Sequence, residues 1–166
     1  MELIDIYDEN KLKTGKTIDR SEKDKLGENE YVISVHCFII NSMSQVLLTQ
    51  RSYEKNRGGM WEDTHGGLRA GEKSVDGIKR ELWEELGIKV NEDELTFYTT
   101  LKKKNTFRDI FILYKDIELN SIKFNDGEVR DCKYVSVSEL KEIIERGEST
   151  FKDFKDTIFY NSDILK

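Results

Sequence analysis

Apolar residues change their spacing several times along this chain, and each change marks an element. Residues 3–7 (LIDIY) and 16–20 (KTIDR) are short β-prone runs joined by the polar Asp8–Gly15 segment, which predicts an N-terminal hairpin. A charged link, Ser21–Glu30, follows it. Tyr31–Ile40 (YVISVHCFII) reads as a central strand, and Asn41–Ser44 as the turn into its hairpin partner, Gln45–Arg51. Residues 52–66 carry three glycines and no periodicity, which predicts a loop. A 3.6-residue period then runs from Ser74 to Leu86 and stops at Gly87, the pattern of a helix with a glycine cap. Strands are expected at 94–101, 108–117 and 132–137, with a charged loop reaching Glu128 before the last of these. A helix from Ser138 to Gly147 and a short final helix within 151–165 complete the set. The chain contains no proline, so glycine and Asn/Asp clusters mark its turns. Strands on both sides of a central helix, with a second helix late, predict an α/β (α+β) sandwich around a mixed sheet. It is read as a single domain over 1–166, with residues 1–29 as hairpin and link and 30–166 as core.

Composition narrows the function classes. At 166 residues, with 37% hydrophobic and 10% aromatic positions, the chain can bury a core and is not a disordered segment. A net charge of −6 and a pI near 5.1 leave no basic field for a nucleic-acid polymer or an anionic membrane. The run Lys102–Lys104 reads as a solvated strand end, with attraction of an anionic substrate as the alternative. Cys37 and Cys132 sit in strand-like runs without metal or redox spacing, as expected of buried thiols in a reducing compartment. No signal-peptide pattern and no membrane-length apolar run are visible, so a soluble, cytoplasmic protein is expected.

The predicted helix holds the chemistry. At about 100° per residue, Val75, Ile78, Leu82 and Leu86 form one apolar stripe, and Glu81, Glu84 and Glu85 occupy the arc beside it. Carboxylates so placed repel one another, and desolvation by the neighbouring core strengthens the repulsion. A hard divalent cation relieves it, because Mg²⁺ and Mn²⁺ take carboxylate and water oxygens. A merely solvated acidic face is the alternative for three glutamates alone. The longer pattern, with Gly66, Glu72 and Arg80 at fixed offsets, argues against that alternative. Arg80 can pair with Glu84 one turn on, or orient a loop carboxylate. Gly66, Gly67 and Gly71 let the chain double back so that backbone groups face a metal or a phosphate.

Gly66, Glu72, Arg80-Glu81-Leu82, Glu84-Glu85 and Gly87-Ile88 match the signature of the Nudix family at every position, over 23 of 166 residues. The resemblance implies an α/β/α sandwich with the signature loop and helix at its centre. It also implies hydrolysis of a diphosphate linkage in a nucleoside diphosphate linked to another group, with Mg²⁺ or Mn²⁺. Carried over by position, Glu84 and Glu85 would be metal ligands, and Glu81 a ligand or the base that activates water. Arg80 and Glu72 would support them, and a carbonyl at His65 or Gly66 would complete the coordination. Glu128 falls where many members place one further acidic ligand. The implied catalytic set is thus Glu81, Arg80 and Glu85, acting on a small phosphorylated substrate such as a nucleotide; a homodimer is left open.

The N-terminal text and the run LLTQRS resemble the branch of the family related to isopentenyl-diphosphate isomerase. Those isomerases carry a catalytic cysteine before the glycine that corresponds to Gly66, and their helix signature is degraded. Here His65 stands in that place and R-E-L-W-E-E is intact, which favours a hydrolase on an isomerase-like frame. The rival readings are a non-catalytic module that binds a nucleotide or phosphometabolite, and isomerase-like activity. His65 is read as a loop-packing residue, a phosphate contact or an acid near the metals. Trp61 and Tyr53 are read as stacking on a base or buried against the sheet. Arg51 is read as meeting a phosphate or an acidic neighbour.

Overall fold

The structure, a computed structural model, describes residues 1–160. Nine strands and two α-helices form there: β1 (Leu3–Tyr7), β2 (Lys13–Asp19), β3 (Val32–Ile40), β4 (Val46–Arg51), β5 (Trp61–Glu62), β6 (Thr64–Gly67), α1 (Ser74–Leu86), β7 (Leu95–Lys103), β8 (Thr106–Tyr114), β9 (Val129–Val135) and α2 (Val137–Glu145). β1 and β2 pair as the expected hairpin, and the other seven strands form one mixed sheet. β3 and β8 run parallel at its centre, in register from Val32 with Thr106 to Ile40 with Tyr114.

Alternation along β3 builds both layers. Ile33, Val35, Cys37 and Ile39 point to one face, where Ile78, Leu82 and Leu86 of α1 complete a buried cluster. Phe38 and Ile40, joined by Ile110 and Ile112 of β8, point to the other, against Leu140, Ile143 and Ile144 of α2. Each such buried Leu or Ile contributes roughly 1.5–3 kcal/mol. The sandwich α1–sheet–α2 is the architecture expected from the sequence. α2 begins one residue earlier than expected, because Ser136 caps it and Glu139 closes the capping box.

Two differences are informative. β3 and β4 pair only at Ile39–Leu47 and Ile40–Val46 before they diverge. The segment 52–66, expected as loop throughout, fills the resulting fork: β5 lies along β4, β6 lies along β3, and Asp63 sits between them. Strands of two and four residues, one of them ending in Gly-Gly, carry no readable alternation; partners far along the chain create them. The expected final helix is replaced over 151–160 by single 3₁₀ turns at Phe154–Asp156 and Ile158–Tyr160, and its remaining residues lie outside those described.

The hairpin and the α1 terminus fix the loop around the helix. Ala70 donates its N–H to the Leu3 carbonyl at 2.9 Å, and Gly71 donates to the Asp5 carboxylate at 2.7 Å. At the other end Gly87 takes φ 69°, and the N–H groups of Lys123, Asn125 and Asp126 reach the Leu86 and Glu84 carbonyls. An added Cβ at Gly87 would approach Lys123 to 3.0 Å. Gly87→Ala is therefore expected to lower stability by about 1–2 kcal/mol in a denaturant titration followed by circular dichroism; an unchanged midpoint would contradict the strained cap.

Candidate active site

The site grows from α1 and from the fork. Arg80 organises it: Nε and Nη2 donate to the two oxygens of Glu72 at 2.6 and 3.0 Å, Nη1 donates to Glu81 at 2.7 Å and to Glu84 at 3.2 Å, and Nη2 also reaches the Gly67 carbonyl at 3.0 Å. Both oxygens of Glu72 are thus spent on Arg80 and on the Arg69 N–H, at 2.9 Å, so Glu72 ties the loop to the helix. Arg80 combines both roles the sequence allowed for it. The Gly67 carbonyl is committed to Arg80.

Gly66 is required by contact. A Cβ there would overlap the Glu81 carboxylate, so the glycine makes the space into which Glu81 folds. Glu81 and Glu85 are buried, and Glu84 is partly exposed. Burial lifts the Glu81 carboxyl above its ordinary value, with Arg80 opposing the shift. Burial lifts Glu85 well above its own, and the nearby Glu81 and Glu62 add to it. Glu85 Oε2 is buried without a hydrogen-bond partner among the described residues. An orphaned carboxylate oxygen beside two more carboxylates is a hard-oxygen donor set that a divalent cation fits.

Asp63, His36 and Glu62, three further residues at the fork, went unrecognised in the sequence. Asp63, fully buried, accepts from His36 Nδ1 at 2.8 Å and from His65 Nδ1 at 3.1 Å, and the two imidazoles stack 4.8 Å apart. Burial outweighs Asp63 at His36 and lowers its pKa. At His65 burial is overcome by the hydrogen bond and charge of Asp63, with Glu62 and Glu85 adding, and the pKa rises to about 10. One carboxylate thus holds two imidazoles whose pKa values are pushed in opposite directions. These three groups lie close enough to chelate a metal, but both Nδ1 atoms are engaged by Asp63, so the cluster serves as hydrogen-bonded support. Glu62 is buried as well and pairs with Arg51 Nη1 at 3.2 Å, an acidic neighbour for Arg51 at the cleft wall. An isolated His within a hydrophobic strand was the one visible hint of this cluster.

A cleft of about 1610 Å³ opens over these groups, and His65, Gly66, Gly67, Arg51 and Glu128 line it together with Arg80 and the three helix glutamates. Glu128 stands at the rim, where Lys55 holds it at 2.9 Å. Trp61 lies apart from the cleft lining, packed against the α2-side core with the Lys133 ammonium 4.1 Å from its ring. Tyr53 is exposed, with Arg130 over its ring. The two cysteines take no part: burial pushes the Cys37 thiol far up and Cys132 to about 11.

Comparison with known proteins agrees with this geometry. The NUDIX domain model matches residues 30–154, and the chain belongs to the Nudix family, among its hydrolases. It is 32% identical over 150 residues to an uncharacterised Nudix hydrolase of Listeria monocytogenes, covering 89% of this chain and 88% of that one. It is 30% identical over 142 residues to the isopentenyl-diphosphate isomerase of Pectobacterium atrosepticum, covering 82% and 78%. A crystal structure from Deinococcus radiodurans superposes with a TM-score of 0.73 at 22% identity, covering 89% of this chain and 91% of that one, and shares the fold. No helix among the described residues is long and apolar enough to cross a membrane.

Two outcomes test the carboxylate cluster. Because the folded pKa of Glu85 lies above its ordinary 4.5, the metal-free folded state retains a proton that the unfolded chain has lost. Stability from this group therefore falls as pH rises above 4.5 toward the raised value. Glu85→Gln fixes the neutral form, so in EDTA it should melt a few degrees above wild type at pH 8. That gain should shrink toward acid pH, and Mg²⁺ should raise the melting temperature of wild type alone. Gly66→Ala should abolish the Mg²⁺-induced rise; a normal rise in that variant would refute the packing of Glu81 against Gly66.

Proposed function

We propose that the chain hydrolyses a diphosphate linkage in a small phosphorylated molecule, with a nucleoside diphosphate linked to another group as the leading class. The observation that carries this reading is the unpartnered, buried Glu85 carboxylate beside Glu81 and Glu84. The same crowding without a cation would only destabilise the fold. Glu81, Glu84 and Glu85 would hold Mg²⁺ or Mn²⁺, with the His65 or Gly66 carbonyl and Glu128 as further candidate ligands. Such a cation, when bound, neutralises phosphate charge and makes a coordinated water more acidic.

The chain's own groups do the rest. Arg80 keeps Glu81 and Glu84 turned toward one another, and Glu72 fixes Arg80 against the loop. Glu81, half satisfied by Arg80 and raised by burial, is the candidate base for the attacking water. Asp63 holds His65 with its ring against His36 at the cleft, where a charged imidazole can face a phosphate oxygen. Isomerase chemistry is disfavoured because His65 occupies the place of the isomerases' cysteine. A binding-only module is disfavoured because it has no use for three water-activating carboxylates.

With Mg²⁺ and a panel of nucleoside di- and triphosphates, nucleotide sugars, dinucleotides and isopentenyl diphosphate, at least one nucleotide should be cleaved. Glu84→Gln and Glu85→Gln should each lower kcat by about 10²-fold or more. No product from any compound, with tight binding of one of them, would replace the hydrolase by the binding module.

A further inference from the structure

The cleft has a second, cationic end that the hydrolytic centre does not use. β3 and β8 explain its floor. Residues Phe38 and Ile40 of β3 and Ile110 and Ile112 of β8 are covered by α2. The same face continues toward the cleft as Ser34, His36 and Arg108, where both strands turn polar. Ser34 and Arg108 are direct partners in the parallel register. Arg108 is only partly exposed, yet its side chain makes no hydrogen bond or ion pair among the described residues. A half-desolvated guanidinium left without an acceptor is poorly matched unless an anion arrives.

Two further segments bring unpaired cations to the same end. Lys104, in the β7–β8 turn, and Lys152, just after Phe151, line the cleft without an ion pair among the described residues. The segments are tied together there. Asn105 donates to the Gly27 and Glu30 carbonyls at 3.0 and 2.8 Å, and Lys103 lies 3.9 Å from Asp156. Most acids that line the cleft are paired away from this end: Glu62 with Arg51, Glu128 with Lys55, Glu2 with Arg20 and Arg69, Asp156 with Lys103, Glu81 and Glu84 with Arg80, while Asp126 accepts from the Glu128 N–H and Glu85 belongs to the hydrolytic centre. Asp63 is spent on the two histidines. In a chain of net charge −6 this is a deliberate local excess of positive charge.

We infer that Arg108, with Lys104 and Lys152 around it, forms a subsite for a phosphate group that the substrate carries beyond its scissile diphosphate. The inference rests on the hydrolase reading for the position of the diphosphate, but not for the subsite itself. It narrows the substrate to diphosphate compounds bearing an additional phosphate monoester or a longer phosphate chain.

Matched ligands that differ by one phosphate test it. Titration calorimetry in EDTA with ADP-ribose and its 2′-phosphate, and with dephospho-coenzyme A and coenzyme A, should show about ten-fold tighter binding of the phosphorylated member in at least one pair. With Mg²⁺ the same pair should show that preference in kcat/KM. Arg108→Gln combined with Lys104→Gln should bring the ratio to about one. Because Arg108 is partly packed, the exposed pair Lys104→Gln and Lys152→Gln serves as a second variant and should halve the preference or more. If neither member of either pair binds, inorganic tripolyphosphate is the probe: binding that is lost in the variants supports the subsite. A ratio near one in the wild type, a preference that survives the substitutions, or no tripolyphosphate binding overturns it. Discrimination in binding without turnover of any compound keeps the subsite and removes the hydrolase. Turnover without discrimination does the reverse.

Discussion

Three glutamates brought beside a hydrophobic stripe are the constraint around which the rest of the molecule is arranged. The α1 stripe must bury Ile78, Leu82 and Leu86 against the sheet, and this carries Glu81 and Glu85 out of water with it. One positive charge, Arg80, is shared among Glu72, Glu81 and Glu84, and it leaves Glu85 Oε2 unsatisfied among the described residues. Arg80 thus supplies enough charge to fold the helix, and the residual negative charge is what a metal would take up. A side chain at Gly66 would disturb this balance at its root, because Glu81 occupies the space it would need.

The fork between β3 and β4 gives this helix something to face. A continuous hairpin would have closed the sheet; instead β5 and β6 part around Asp63, and the gap is where the cleft opens. Buried charge is tolerable at that gap because it is paired. Asp63 holds His36 and His65, and Arg51 holds Glu62, so the desolvated groups offset one another before any ligand binds. The N-terminal hairpin, which lies outside the residues matched by the family model, contributes as well. Its Leu3 carbonyl and Asp5 carboxylate pin the loop that delivers Glu72 to Arg80. The acidic centre and the cationic end around Arg108 then occupy one cleft of an acidic protein, an arrangement that guides and orients an extended anion.

Local patterning made most elements legible. α1 ran from Ser74 to Leu86 as read, since an amphipathic period and a glycine cap are both local facts. The long strands were found to within a few residues for the same reason. β5 and β6 were missed because neither has a pattern of its own, and the segment after Phe151 breaks into single turns where a helix was expected. Among site residues, the signature positions came together around Arg80. The roles of Asp63, His36 and Glu62 were not legible, beyond the hint of a lone His in a hydrophobic strand, because they arise from pairing across separate strands.

What the sequence determined by itself was the helix, its glycine loop and the family, because spacing of four carboxylates and one arginine over 23 positions is local and improbable. What only the tertiary structure decided was which of these groups are buried, which share Arg80, and which remain unpartnered. It also decided that Trp61 turns into the α2-side core while Arg108 stays open at the cleft. Burial and partnership are set by elements that meet from opposite ends of the chain, and those two quantities fix the charge state and availability of every group at the site.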